Sequence, residues 1–368
     1  MEIYLGLVIL VLILSFLSLY FKGENERKNF ILFAFGGVLM VVYTFRSYSV
    51  GRDIMNYYEI YQGMDAHALF DASWIWIEWG YVLFMKVFSM MGLSFRTFLG
   101  VNYLLILIPL FVFIRRYSRD VTLSLIIFIC FQFFVFSMSA LRQMLAMSIC
   151  LWAYLVANKN GISGFLGFIT LIVIATLIHR SAVVFAPAYL LMRWKFSLKM
   201  IVLYAFFVVG VVLFRDRILF AIKVTGEEVN TTYEDVLSIG SFFYFIVFIV
   251  FLSLFVVYHK TLSNHSSNSY HSFGEASPQY DQSLAYHLNL LVFCPIIQFL
   301  FEGYELMRAA MIYQVFILLV LPNLVYEFPK KIRPIIRTAI IVGMIIIFYY
   351  STLLPNELDI IPYRLGFD

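Results

Sequence analysis

His179 is the residue of this chain whose type and position point most directly to chemistry. It lies in the sequence Thr-Leu-Ile-His179-Arg180-Ser, where one apolar segment ends and the next begins. An imidazole exchanges a proton near neutral pH, so His179 is a candidate base for activating a hydroxyl group. The alternative interpretation is that His179 is hydrogen-bonded within the helix bundle and that Arg180 anchors the chain at a lipid surface.

Two arginines also lie at the boundaries of apolar segments. Arg142, followed by Gln143, begins one segment, and Arg308 begins another after the sequence Glu-Gly-Tyr304-Glu-Leu-Met. A guanidinium group presents a planar set of N–H donors that matches the oxygens of a phosphate. Because a long cationic side chain can also extend to lipid head groups, snorkelling is the alternative interpretation of Arg142.

Two further motifs combine charged and aromatic residues. In residues 46–58, arginine and tyrosine side chains are suited to binding a phosphate and stacking on sugar rings, and a salt bridge within the loop is the alternative. In residues 74–81, interfacial anchoring explains the tryptophans but not Glu78, which is expected to pair with an arginine or to orient an acceptor hydroxyl. Arg364, near the C-terminus, is assigned to the same side of the membrane as these motifs. The candidates in the first motif are Arg46, Arg52, Asp53, Tyr57 and Tyr58.

Membrane helices must position these residues. Of the 368 residues, 62% are hydrophobic and 13% are charged, whereas a soluble domain has about 25% charged residues. Continuous apolar runs near the length of a membrane-crossing helix exclude both a soluble fold and a transmembrane barrel. The sequence predicts an all-α polytopic membrane protein with about 11–13 transmembrane or re-entrant helices. The predicted segments are Ile3–Phe21, Phe30–Phe45, Leu99–Ile114, Val121–Phe136, Ala140–Ala157, Ile162–Ile178, Leu198–Phe214, Phe242–Tyr258, Leu284–Phe301, Ala309–Leu321 and Ile335–Leu354, with shorter pieces at Tyr81–Met91 and Ser181–Met192.

The distribution of Lys and Arg predicts which connectors face the cytoplasm. With the basic connectors placed inside, residues 1–368 form a single membrane domain with external loops at 46–80 and 215–240 and a polar cytoplasmic loop at 259–283. All the candidate motifs then lie on the external side. This topology requires Tyr81–Met91 to be re-entrant or interfacial, because a further crossing would place Arg115 outside.

No cofactor or metal ion is predicted. The three cysteines lie inside apolar stretches without ligand spacing, which is typical of core packing. The histidines of the 259–283 loop have no nearby cysteine and form no close pair, so a metal site there is disfavoured. No P-loop, dinucleotide-binding glycine pattern or internal repeat is present, and no nucleic-acid partner is expected.

The order of these motifs resembles the EpsG-like branch of the Wzy polysaccharide polymerases over about residues 1–325. One departure is Arg52, where the family pattern leads us to expect a small polar or acidic residue. The matching pieces are Arg46…Val50-Gly51-Arg52-Asp53…Tyr57, Glu78-Trp-Gly-Tyr81, Leu141-Arg142-Gln143-Met-Leu-Ala146, Leu177-Ile-His179-Arg-Ser-Ala182, and Arg308 with Tyr313.

The resemblance implies a glycosyltransferase of GT-C-like architecture in the bacterial inner membrane. Such an enzyme joins oligosaccharide repeat units carried on undecaprenyl diphosphate, at the periplasmic face, into O-antigen, capsule or exopolysaccharide. Its implied partners are the lipid-linked oligosaccharide, the bilayer, a repeat-unit flippase and a chain-length regulator. On this hypothesis Arg142 and Arg308 contact the diphosphate and His179 activates or orients the acceptor hydroxyl. The substrate-binding residues are Arg46, Arg52, Asp53, Tyr57, Tyr58, Glu78, Gln143, Arg180, Tyr304 and Arg364.

Three other functions remain open on sequence alone. A flippase for the same lipid-linked unit would be favoured by broken helices with paired polar sites and by pseudo-symmetric halves, neither of which the sequence displays. An O-antigen ligase would use similar chemistry with a different acceptor. A membrane acyltransferase also relies on an embedded histidine, and dependence on an acyl donor would distinguish it.

Overall fold

The computed structural model describes residues 2–64, 77–157, 161–194, 278–300 and 309–366, together with short stretches between 199 and 217. Within these ranges the secondary structure is helical, and the strand pairing consists of one isolated bridge between Arg46 and Leu365. The chain is an all-α polytopic membrane protein, which confirms the prediction from composition.

The helices range in length from 23 residues in α5 and α11 to four residues in α10 and α12. A 3₁₀-helix at Arg180–Phe185 follows α9, and a π-helical turn at Tyr349–Leu353 extends α14. In chain order the helices are α1 (Glu2–Leu17), α2 (Glu24–Thr44), α3 (Ile54–Gly63), α4 (Trp79–Met90), α5 (Phe95–Tyr117), α6 (Val121–Cys130), α7 (Phe133–Ser139), α8 (Leu141–Ala157), α9 (Ile162–Ile178), α10 (Ala188–Leu191), α11 (Pro278–Leu300), α12 (Met311–Gln314), α13 (Ile317–Glu327) and α14 (Arg333–Phe348).

Among the described residues, four helices are long and apolar enough to cross a membrane, or five if the bent pair α6–α7 is one span. The bend of 47° between α6 and α7 lies at Gln132, whose φ of +69° is left-handed. Shorter apolar helices include α8 and α9. The predicted segment Phe242–Tyr258 and both polar loops, 215–240 and 259–283, lie almost wholly outside the described residues.

The sequence predicted one membrane domain, whereas the chain divides into two compact units. The first comprises Met1–Tyr189 and Ile317–Asp368, and the second comprises Leu190–Phe316. In the second unit, Phe293 of α11 packs against Tyr313 of α12, with ring centroids 5.1 Å apart. All the site geometry described below belongs to the first unit.

Helix α6 is the centre of the first unit. Each of its residues from Val121 to Cys130 is buried, and it contacts α1, α13 and α14. A largely apolar helix of this kind is typical of the core of a helix bundle. Helix α8 packs between α5 and α9, and α2 packs on α5.

The two ends of the first unit differ in their polar contacts. At one end, Asp120 caps α6 by accepting a hydrogen bond from the Leu123 amide at 2.9 Å and pairs with Arg337 at 2.6 Å. Lys28 at this end donates to the carbonyl of Ser118 at 3.0 Å. We call this the basic end. The other end, which we call the site end, contains the C-termini of α2 and α7, which are joined by the bond from Tyr43 to the carbonyl of Ser137. It also contains the N-terminus of α8, which directly follows α7, and the C-terminus of α9, because Glu78 contacts both Arg142 of α8 and the amide of Arg180 after α9.

Arg46 is part of the folded framework at the site end. Its side chain is completely buried, and its Nε, Nη1 and Nη2 atoms donate to the carbonyls of Val50, Tyr43 and Met138 at 3.0, 2.7 and 2.9 Å. These bonds connect the end of α2 to the loop that follows and to the end of α7. The sequence-based assignment of Arg46 to substrate binding is therefore corrected, because its guanidinium faces backbone carbonyls and not an accessible surface.

The C-terminal tail is folded against the same loop. The amide of Gly51 donates to the carbonyl of Asp359 at 2.9 Å, and the amide of Ser47 donates to the carbonyl of Arg364 at 2.8 Å. Gly51 has a φ of +110°, and a Cβ atom there would lie 2.5 Å from the carbonyl oxygen of Met138, so the contact requires glycine. The exposed side chain of Arg364 thus belongs to the site end.

Helix α4 is a short helix at the site end. Its 12 residues are fewer than the about 20 needed for a span. The residues that precede it contact the end of α9, while Leu93 beyond its far end accepts a hydrogen bond from Tyr61 of α3. Arg96, in the first turn of α5, donates to the carbonyl of Thr44 at the end of α2. Both ends of α4 therefore contact residues of the site end, and its re-entrant or interfacial placement stays a prediction.

Candidate functional site

The carboxylate of Glu78 contacts three residues from two other parts of the sequence. Its Oε2 atom is 2.5 Å from Nη1 of Arg142, and its Oε1 atom is 2.9 Å from Nδ1 of His179. Oε1 also accepts a hydrogen bond from the backbone amide of Arg180 at 3.1 Å. We call Glu78, Arg142, His179 and Arg180 the carboxylate cluster.

Glu78, His179 and Arg180 lie at breaks between helices, where they can contact one another. Glu78 directly precedes α4 with an extended backbone, and its side chain forms no cap with this helix. His179 directly follows α9, again with extended backbone, and Arg180 begins the 3₁₀-helix. The apolar run of α9 ends here because polar residues begin, which places His179 at the boundary of the apolar bundle.

Gly80 allows α4 to approach α9 closely enough for these bonds. A Cβ atom at position 80 would lie 2.5 Å from the carbonyl oxygen of Leu177, and this distance is too short for any real contact. Leu177 is two residues before His179 and Gly80 is two residues after Glu78. The close backbone approach at this glycine therefore determines the distance between the imidazole and the carboxylate.

Replacing Gly80 with alanine is expected to lower stability. An alanine in a helix is ordinarily more stable than glycine by about 1 kcal/mol, but here the added methyl group must displace α4 from α9, at a cost of about 1–3 kcal/mol. The matched control is Gly37→Ala in α2, where a Cβ atom has nothing within 4 Å. Thermal unfolding in detergent is expected to show a lower Tm for Gly80→Ala and an equal or higher Tm for the control. Equal behaviour of the two variants would contradict a packing role for Gly80.

Arg142 is held on two sides. Besides its pair with Glu78, its Nε atom donates to the hydroxyl of Tyr57 at 2.9 Å, and the ring of Tyr57 packs edge-on against Tyr81. Arg142 lies in the first turn of α8, where the helix dipole disfavours a positive charge. A cation in this unfavourable position is maintained by its carboxylate partner, which indicates a role for the charge itself.

The carboxylate cluster has a net positive charge. Burial alone would raise the pKa of Glu78, but the hydrogen bond with His179 and the nearby charge of Arg142 lower it to about 2. Glu78 is therefore ionised at neutral pH and is balanced by two guanidinium groups, of which Arg180 is the more exposed. Its contribution to stability is complete above pH 4.5 and is lost as the pH falls toward 2. Such a cluster is suited to binding an anion beside a group that accepts a proton.

The match to known families is specific and covers most of the chain. Residues 29–365 match the EpsG family. The chain belongs to the EpsG family. A search of the curated proteins and of the solved structures found no significant match. Membership of the EpsG family indicates a multi-pass membrane protein with a polysaccharide polymerase-like role, and the matched range includes the whole carboxylate cluster.

In this EpsG family protein the predicted site residues separate into two groups. Glu78, Arg142, His179, Arg180 and Tyr57 are brought into contact, directly or through one another. Around them at the site end, Gln143 is buried beside Arg142, Asp53 begins α3 and Tyr58 is half-buried, whereas Arg52 and Arg364 are exposed. Arg308 and Tyr304 lie outside the described residues, so their roles stay predictions.

One residue at the site end, Arg96, had no place in the sequence-based interpretation, whereas Tyr48 lies in the 46–58 motif. Tyr48 stacks on Tyr58 with ring centroids 4.7 Å apart, and the guanidinium of Arg96 lies 5.2 Å from the Tyr48 ring. The signal in the sequence was slight, since Arg96 follows a Ser94 cap that looks like an ordinary helix start. Within the described ranges, no group of three or more His, Cys, Asp and Glu side chains has a geometry that could hold a metal ion.

Proposed function

We propose that this EpsG family protein is a glycosyltransferase that polymerises undecaprenyl-diphosphate-linked oligosaccharide repeat units at the periplasmic face of the bacterial inner membrane. One observation carries the proposal. A guanidinium and an imidazole, the two groups that such a transfer requires, are held on the two oxygens of a single largely buried carboxylate. Membership of the EpsG family supports the same class of reaction.

The reaction forms one glycosidic bond and breaks one sugar–phosphate bond. The acceptor hydroxyl oxygen attacks the anomeric carbon of the growing chain, and the diphosphate leaves with the bonding electron pair. His179 takes the hydroxyl proton, and direct attack from the face opposite the leaving group inverts the anomeric centre. Because the leaving group is already a stable anion, catalysis depends on positioning and on charge stabilisation more than on a strong acid.

Among the described residues, Arg142 and Arg180 are the cations that we assign to the diphosphate. Arg142 is fixed by Glu78 and Tyr57, so its charge is preorganised and requires no rearrangement when negative charge develops on the leaving oxygen. Arg180 has about half of its side chain exposed, which suits it to a first contact with an arriving diphosphate. Tyr48 and Tyr58 offer an aromatic surface for sugar rings at the same end.

The distribution of charge supports a periplasmic site. The basic end contains Lys28, Arg119 and Arg337, and Lys and Arg are enriched on the cytoplasmic side of membrane proteins. The carboxylate cluster lies at the other end of the first unit. Lipid-linked repeat units that have been moved across the membrane would therefore reach it from the periplasm.

The test of this function is the surface polysaccharide of a strain that lacks the gene. We expect its gel ladder to collapse to a single repeat unit, still attached to its acceptor, and to recover when the wild-type gene is restored. Complete loss of attached repeat units would instead indicate a flippase or a ligase. An unchanged ladder would exclude polymerisation.

A further inference from the structure

We propose that Glu78 is a positioning residue that selects the tautomer of His179 and holds Arg142 at a set distance from it. The inference rests on the function proposed above and changes the role of Glu78, which the sequence placed among the substrate-binding residues. A residue of this kind acts through its neighbours and does not touch the saccharide.

The contacts of Glu78 leave its carboxylate committed to the protein. One oxygen faces His179 and the amide of Arg180, and the other faces Arg142. The side chain is only 10% exposed. A sugar hydroxyl would have to displace at least one of these partners to reach the carboxylate, whereas His179 is 23% exposed and Arg180 is 49% exposed.

The tautomer follows from the chemistry of the two groups. An ionised carboxylate can only accept hydrogen bonds, so the ring nitrogen that faces it, Nδ1, must be the one that carries the proton. A neutral imidazole has a single N–H, and therefore Nε2 has the lone pair. The lone pair is what the acceptor hydroxyl needs: its proton moves to Nε2 while its oxygen forms the new bond. With the opposite tautomer, Nε2 would carry the N–H and could not accept the hydroxyl proton.

The second carboxylate oxygen relates Arg142 to the same ring. Both contacts use the one rigid carboxylate of Glu78. The guanidinium of Arg142, which stabilises the leaving diphosphate, and the imidazole of His179, which accepts the hydroxyl proton, are therefore kept at a nearly constant separation. Among the described residues, the other charged and titratable groups near this pair include Arg180, which follows α9, Tyr57 and Asp53 of the α3 region, and Tyr81 of α4. None of these replaces the hydrogen bond that Glu78 makes to Nδ1.

Glu78→Gln tests the inference with almost no change in size. The new amide can donate to Nδ1 and thereby favour a proton on Nε2, so we expect polymerisation to fall by about 10²–10⁴-fold, the range typical of losing a working base. The matched control is Glu59→Gln, an exposed carboxylate on α3, which should leave the ladder unchanged. Protein abundance in the membrane is measured for both variants.

Nitrogen NMR of protein labelled with ¹⁵N-histidine separates tautomer selection from general support of the fold. The signals of His179 are identified by their absence in the His179→Asn variant. We expect an Nδ1–H form in the wild-type protein and a shift toward the Nε2–H form in Glu78→Gln. A merely structural Glu78 would leave the tautomer as in the wild type.

The outcomes distinguish this inference from the function on which it rests. A wild-type ladder with Glu78→Gln, or an Nε2–H form in the wild-type protein, would overturn the positioning role while leaving polymerisation intact. A wild-type ladder from the strain without the gene would overturn the polymerase proposal itself. Loss of the ladder together with an unchanged tautomer would contradict the inference also, since Glu78 would then act without His179.

Discussion

His179→Ala is expected to insert into the membrane normally and to polymerise at least 100-fold more slowly, because removing a general base typically costs 10²–10⁴-fold in rate. The measurement is the ladder from a strain without the gene, complemented with the variant. We expect it to collapse to one repeat unit. Loss of the ring leaves Glu78 bonded to Arg142 and to the Arg180 amide, so the fold should survive the change.

A second substitution separates proton transfer from orientation. In His179→Asn the side-chain amide can still donate to Glu78 from near the position of Nδ1, but it has no basic nitrogen. If His179 accepts the proton, the asparagine variant should be as defective as the alanine variant. Recovery of long chains by asparagine would show that His179 only orients its neighbours, and a wild-type ladder from both variants would remove it from the mechanism.

Arg142→Lys is the second change with a large expected effect, despite conservation of charge. A lysine ammonium cannot reproduce the planar guanidinium with which Arg142 donates to both Glu78 and Tyr57. Loss of one preorganised donor to a developing negative charge typically costs about 10²–10³-fold in rate, so we expect short chains or single repeat units. Arg142→Ala should be at least as defective.

The matched control for Arg142 is Arg115→Lys at the basic end. Arg115 is exposed and bonds to Asn29 on α2, so the substitution alters an exposed arginine without touching the carboxylate cluster. We expect a normal ladder from this variant. Nearly normal chain length from Arg142→Lys, at normal abundance in the membrane, would contradict the preorganised-cation role.

Much of the architecture was predictable because local sequence determines it. The apolar run Ile162–Ile178 was predicted as a segment, and α9 has the same bounds, since the run ends where His179 and Arg180 begin. Continuous apolar helices longer than about 18 residues leave a polypeptide no soluble alternative. The broken span at Gln132 was not predicted, because a left-handed residue within an apolar run has no strong composition signal.

The contacts among the candidate residues were predictable only in part. Sequence placed Glu78, Arg142 and His179 among the candidates because a charge at the boundary of an apolar helix is costly, and it expected Glu78 to pair with an arginine or to orient an acceptor hydroxyl. The structure pairs Glu78 with Arg142 and His179. It directs Arg46, which the sequence assigned to the substrate, onto backbone carbonyls, because residue type alone cannot distinguish an arginine that faces solvent from one that faces the chain.

The sequence by itself determined that this protein is a multi-pass membrane protein, which of its charges lie at helix boundaries, and that it belongs with EpsG-like polymerases. Only the tertiary structure decided which of those charges meet. Residues 78, 142 and 179 are far apart along the chain, and their contact depends on the approach of α4 to α9 at Gly80. The hydrophobicity of a segment can be determined from its own sequence, whereas the hydrogen bonds between segments depend on how the helices pack.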